Sequence, residues 1–469
     1  MRRFLSVLIL LTIASVQLQA QTCQTTLTEI KQIAGAPPKD VDFTEGLPSC
    51  AFLKLSWRSF IALNWPAIWT FNRADTTKQT RAVPDTTKLI GQGAVSDPTV
   101  WDLFQPNWYI FAPSNPPGNG FAGWNQDSFL PSACGQLMSA NAARLTPAQR
   151  SSLKILSSLS KFDSMPGVVQ ASSSSPLIDQ NGFYARYEIR TSFETFNYIV
   201  SNRFYSADAQ QNQAFNFPVQ SATKPGAIFI KAAWKVLTPE EERSGRFHTS
   251  RAFLFTPTSP TVQSTCAGPV PVGLVGLHIV QKTSALRKWI WATFEHIDTA
   301  PADPANPGTQ LWQFFKTGST KPLEKPKCPT AGTPCLDWQP TSSHLNDITG
   351  GPTQAVRVNP IPLSCNQPAL DQINQSVLSF FQQINPKSVW QFYRLVEAQW
   401  EDPGTPTGFF PPKKVANVTM ETYTQKSSCM ACHSGALAAD DITPADFTFE
   451  LNLGWRQTIN PAPTPSPNP

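Results

Sequence analysis

Gly273-Leu274-Val275-Gly276-Leu277-His278-Ile279-Val280-Gln281-Lys282 is the stretch from which the fold is read. Apolar and small or polar residues alternate along it, a period of two that suits a strand and not a helix. If Val275, Leu277 and Ile279 face one side, His278 faces the other. The stretch belongs to the third of four runs rich in Val, Ile, Phe, Trp and Thr, at residues 227–237, 247–255, 270–282 and 288–298. Thr238-Pro239, Pro257-Thr258-Ser259-Pro260 and Ser284-Ala285 break them apart. Such spacing predicts consecutive antiparallel strands. Residues 389–400 read as one more strand closing the same sheet.

Helical signals flank this centre. Phe52, Leu55, Phe60 and Leu63 recur at helical spacing within residues 50–67, and residues 370–384 carry a second helical pattern. Thr146-Pro147-Ala148-Gln149 is a helix-start signal, which predicts a helix over 145–161. Residues 182–205 are ambiguous, with Phe193, Phe196, Tyr198 and Ile199 leaning helical. The expected fold class is α+β: a central antiparallel sheet with irregular and helical segments, and a C-terminal segment docked against it. The expected division is a signal peptide at 1–20, a mixed, mainly helical and irregular region at 21–220, a sheet region at 221–457, and a Pro-rich disordered tail at 458–469.

Arg2 and Arg3, the apolar residues 4–14 and Leu18-Gln19-Ala20 read as a cleavable secretory signal. The expected location is therefore the periplasm or the exterior, with no integral membrane span in the mature chain. The chain carries a net charge of +5, and loss of Arg2 and Arg3 lowers it to +3. That excess is too weak to argue for a nucleic-acid partner.

Near the C-terminus stands Cys429-Met430-Ala431-Cys432-His433. Cys-x-x-Cys-His is the spacing that attaches a c-type haem: two thiols bond the porphyrin vinyl groups and the adjacent imidazole becomes the proximal iron ligand. With nine Cys and five His in 469 residues, chance supplies the pattern roughly 0.002 times. The competing readings are a redox thiol pair, half of a zinc site, or a disulfide. A zinc site wants a second Cys/His pair at short spacing, and none follows His433. One covalently bound haem c with its iron is the expected cofactor. The other cysteines are Cys23, Cys50, Cys134, Cys266, Cys328, Cys335 and Cys365. In an oxidising compartment, Cys328 with Cys335 and then Cys23 with Cys50 are the expected bridges, and the odd number leaves at least one thiol over.

No His, Met, Cys or Lys occurs between Ser434 and Pro469. A sixth iron ligand is thus expected from before Cys429, or the iron has an open face. His278 and His296 lie in neighbouring runs of the sheet and are the candidates for a distal ligand or pocket residue; each also has an ordinary role as a core imidazole. His248 and His344 have polar, loop-like surroundings, Met420 is close in sequence, and Met138 and Met165 read as core filler. Glu295, Glu421, Tyr423, Lys231, Lys235 and Lys282 are the other polar side chains of interest, the lysines as partners for haem propionates.

Three further blocks accompany the motif: Lys231-Ala232-Ala233-Trp234-Lys235, Trp289-Ile290-Trp291-Ala292-Thr293-Phe294-Glu295-His296, and Asn417-Val418-Thr419-Met420-Glu421-Thr422-Tyr423. With Gly273–Ile279 they resemble a group of exported bacterial monohaem proteins of the cytochrome c family. The resemblance implies covalent haem at Cys429, Cys432 and His433 and functional roles for His278 and His296. The function expected is electron transfer with a redox partner protein. A haem enzyme of peroxidase or oxygenase type is the alternative, because electron carriers manage with far fewer residues. A haem sensor or redox-complex subunit is the third reading.

Overall fold

The computed structural model describes residues 23–44, 48–70, 80–111, 123–125, 134–135, 137, 140, 152–157, 177–256, 265–286, 288–318, 353–358, 368–401 and 415–454. The expected signal segment, the Pro-rich tail, His344, Met138, Met165, Cys328, Cys335 and Cys365 lie outside these residues. The strands are β1 (Ala67–Thr70), β2 (Thr80–Pro84), β3 (Gln105–Pro106), β4 (Lys154–Ser157), β5 (Arg186–Thr191), β6 (Ile228–Val236), β7 (Thr249–Thr256), β8 (Thr265–Lys282), β9 (Trp289–His296) and β10 (Tyr393–Gln399). The longer helices are α1 (Leu27–Ile33), α2 (Pro48–Leu63), α3 (Phe193–Ser201) and α4 (Pro368–Ile384), and a short one, α5, spans Cys429–His433.

The architecture is mixed α+β around a curled sheet in the order β10-β9-β8-β6-β5-β3, with β7 pairing β8 and β4 pairing β7. The four central runs are strands: β7 pairs β8 and β8 pairs β9, consecutive and antiparallel as expected, but β6 skips β7 and pairs the opposite edge of β8. The cause is the length of β8, 18 residues against nine in β6. Its second half is held between β6 and β9, while its first half extends beyond β9 and takes β7. Strands β3, β4 and β5, from the first half of the chain, lie in the same sheet as β6–β10.

Two other expectations change. The helix expected over 145–161 is not formed where the chain is described, because Lys154–Ser157 is β4, paired parallel with β7. Residues 182–205 divide into β5 and then α3, whose start is capped by Ser192 accepting from Thr195 N–H. Val275 also departs from the simple alternation. The register shifts between Ala233↔Gly276 and Trp234↔Leu274, so Val275 is the extra residue of a bulge. Leu274, Leu277 and Ile279 join the core on one face, and Val275 packs in a cluster with Val418 and Met420.

One face of the sheet carries α2 and α4. Trp57 and Phe60 of α2 meet Phe294 of β9, and Trp57 also meets Phe381 of α4. Asn374 of α4 ties three elements together: its Oδ1 accepts from Trp57 Nε1 (3.0 Å) and Leu395 N–H (3.1 Å), and its Nδ2 donates to the Leu395 carbonyl (3.0 Å). Nearly every residue of α2 is buried, the polar Lys54, Ser56 and Ser59 included.

Disulfides join Cys23 to Cys50 and Cys134 to Cys266. The first was expected; the second links residues 132 apart, beyond any spacing argument. Their presence fits an oxidising compartment. Among the described residues no helix is long and apolar enough to cross a membrane.

Candidate functional site

The second face of the sheet receives the segment 415–454. Gly276 lets the chain approach there, because a Cβ at this position would collide with the Thr419 side chain. Asn417 Nδ2 donates to the Phe294 carbonyl (2.8 Å), Val418 N–H to Glu295 Oε2 (3.0 Å), and the Tyr187 hydroxyl to the Thr419 carbonyl (2.7 Å). Glu295 is also held by Arg357, whose Nε donates to Oε1 at 2.7 Å. These contacts place the turn 417–421 on β8 and β9 and aim the chain toward α5.

Helix α5 is the Cys-x-x-Cys-His motif. Ser428 caps it, accepting from Ala431 N–H, and Gln399 of β10 anchors its start by accepting from Met430 N–H (2.8 Å). Met430 is fully buried in the core, so Cys429 is half-buried, Cys432 is exposed and His433 turns back to the sheet. The His433 ring packs against Trp291 (4.2 Å between centroids) and Phe449 (4.9 Å). Its Nδ1 lies 2.9 Å from the Phe447 carbonyl. A carbonyl only accepts, so Nδ1 carries the proton and Nε2 the lone pair.

Cys429, Cys432 and His433 line a cavity that is partly open to solvent. Phe229, Val280, Trp289, Trp291 and Phe447 supply an apolar wall, and Lys231, His278 and Glu421 a polar one. His278 Nε2 donates to Glu421 Oε1 at 3.1 Å. Burial opposes ionisation of Glu421, yet His278 and Lys231 hold its carboxyl below the usual value. Trp291 Nε1 is buried in this wall with no hydrogen-bond partner among the described residues.

The structure therefore brings His278 together with Cys429, Cys432 and His433, and it places His296 elsewhere. His278 and His296 sit on opposite faces, because His296 shares the parity of Ala292 and Phe294 on β9. The His296 ring is stacked on Phe247 at 4.5 Å, its Nε2 donates to the Arg246 carbonyl (3.1 Å), and its Nδ1 accepts from Asp298 N–H (3.2 Å). His248 binds Asp102 (Nε2 to Oδ2 2.8 Å), away from the motif. Lys235 is taken by Asp179 and by Glu241 (2.9 Å). Lys231 and Lys282 lie on the motif's face, and Met420 is buried in the cluster of Val275 and Val418.

Burial pushes the His296 pKa down to about 4, and Asp298 only partly opposes this. In the unfolded chain the same imidazole takes up a proton near 6.5. The stability of the neutral, buried ring is thus fully present above pH 6.5 and is lost as pH falls toward 4, by about 3 kcal/mol. Urea unfolding of the wild type and His296→Gln between pH 7 and pH 4 checks this. The wild type is expected to lose about 3 kcal/mol more than the variant over that window; parallel losses would show that His296 does not titrate this way.

Burial, with Glu421 nearby, pushes the Cys429 thiol well above its ordinary value. Among the described residues, no three His, Cys, Asp or Glu side chains converge to hold a metal ion directly, as a structural zinc would need. Trp291, Asp446 and Phe447 were missed by sequence reasoning. Trp291 had a signal, since it shares a strand face with Trp289; Asp446 and Phe447 had none. No family model, no curated protein and no solved structure matches this chain.

Proposed function

We propose that this chain is an exported, periplasmic monohaem c-type cytochrome that transfers electrons. One haem c would be held by thioether bonds to Cys429 and Cys432, with His433 Nε2 as proximal iron ligand. The observation that carries this reading is the His433 ring: it borders an apolar cavity shared with both thiols, and its Nδ1–H is fixed on the Phe447 carbonyl. Ligating histidines characteristically donate their second ring N–H to such an acceptor.

The lining fits the group. Trp289, Trp291, Phe229 and Phe447 suit a flat apolar macrocycle, while Lys231 and the unpartnered Trp291 N–H suit its carboxylates. When bound, the haem iron supplies reversible one-electron exchange. The chain's own residues orient the imidazole, exclude water from one wall and leave Cys432 exposed at the surface, where a redox partner protein can approach.

The His278–Glu421 pair favours a second reading, a haem enzyme of peroxidase or oxygenase type. A carboxylate-backed imidazole in the cavity wall is suited to proton transfer. Visible spectra with and without carbon monoxide separate the two. A carrier that uses His278 as sixth ligand is low-spin and unresponsive, and His278→Ala makes it high-spin and able to bind carbon monoxide. A wild type that is already high-spin and binds carbon monoxide would overturn the carrier reading in favour of the enzyme.

A further inference from the structure

The carbonyl that holds His433 belongs to an unusual turn. Asp446 and Phe447 are consecutive non-glycine residues in the left-handed region, with φ of 46° and 66°. Non-glycine residues adopt this region uncommonly, Asp more readily than Phe, and two in a row persist where surrounding contacts over-determine them. Here those contacts come from the sheet. Lys282 Nζ, at the end of β8, donates to both carboxylate oxygens of Asp446, at 2.9 and 2.7 Å. Phe217 N–H donates to Asp446 Oδ2 at 3.2 Å, and Trp289 Nε1–H of β9 donates to the Asp446 carbonyl at 2.7 Å. Lys282 is almost fully buried and its ammonium lies 5.2 Å from the Trp289 ring centre. The next carbonyl along, that of Phe447, takes the His433 Nδ1–H.

We propose that Asp446, Lys282 and Trp289 are positioning residues that fix the Phe447 carbonyl and, through it, the orientation and basicity of His433 as an axial ligand. The inference rests on the haem reading of the motif. An acceptor on the far ring nitrogen makes an imidazole a stronger donor, and a stronger donor favours the oxidised iron. The ion pair of Lys282 and Asp446 therefore keeps the reduction potential low, although neither side chain belongs to the motif.

The test uses the full exported protein. Asp446→Asn keeps the shape and removes the charge; Trp289→Phe keeps most of the packing and removes only the N–H donor. Both are expected to retain covalent haem on a denaturing gel, and both are expected to shift the midpoint potential upward. Lys282→Met, which leaves the Asp446 carboxylate without its cation, should also move the potential, and Lys282→Arg, which keeps the ion pair, should hold it at the wild-type value. Haem-stained Asp446→Asn and Trp289→Phe with the wild-type potential would overturn the inference while leaving the haem reading intact. A wild type without haem stain would instead remove the haem reading itself. Should Asp446→Asn fail to fold, an unshifted Trp289→Phe alone overturns the inference.

Discussion

Replacing Cys429 and Cys432 together by serine is expected to abolish covalent haem, leaving no haem-stained band on a denaturing gel. The fold is expected to survive. Cys432 is exposed and Cys429 only half-buried, and neither is in a disulfide. Serine is close in volume, and the helix start is held by Ser428 and Gln399, not by the thiols. Each single variant keeps one thioether and is expected to stain weakly. The stain, run beside a far-ultraviolet circular dichroism spectrum, distinguishes loss of haem from loss of fold. Stain of wild-type strength in the double variant would mean that the motif does not bind the group.

Lys154→Met is expected to cost about 3–5 kcal/mol of folding stability, as removal of one partner from a buried ion cluster does. Lys154 is fully buried on β4, with its Nζ 2.7 Å from Asp102 Oδ1 and 2.9 Å from Glu188 Oε1. It lies over the rings of Trp101 (4.9 Å) and Trp234 (4.5 Å). Burial opposes both charges, yet Lys154 with His248 holds the Asp102 carboxyl well below its usual range, and Arg190 with Lys154 holds Glu188 down. Without the ammonium, two carboxylates remain in the core, Asp102 beside His248 and Thr99, and Glu188 beside Arg190 and the Trp234 N–H. Chemical denaturation checks the loss. Neutralising all three, as Lys154→Met with Asp102→Asn and Glu188→Gln, is expected to recover part of it. A Lys154→Met chain within about 1 kcal/mol of wild type would mean that the cluster is solvated or rearranges.

The strands were legible where burial imposes a period of two. The alternation of Val275, Leu277 and Ile279 marked β8, although Val275 proved to be the bulged residue, and the apolar run Trp289 to His296 marked β9. The pairing of β6 with β8 instead of β7 was not legible, because the length of β8 matters only once β7 and β9 share one edge of it. Lys154–Ser157 looked helical beside its Pro147 start signal; pairing with β7 and the buried charges of Asp102 and Glu188 override that local preference. Parity on the strands put His278 on one face, and parity again separates it from His296, but only after β8 and β9 are in register. The motif itself stood out through its spacing. What surrounds it was not. Asp446 and Phe447 come from a turn whose conformation is imposed by Lys282 and Trp289, far away in sequence.

Covalent attachment is decided most directly by the intact mass of the exported protein after denaturation, reduction and thiol alkylation. The expected result is a chain carrying the mass of one haem, with Cys429 and Cys432 both refractory to the alkylating reagent. A chain of unmodified mass in which both of these thiols are alkylated would contradict it.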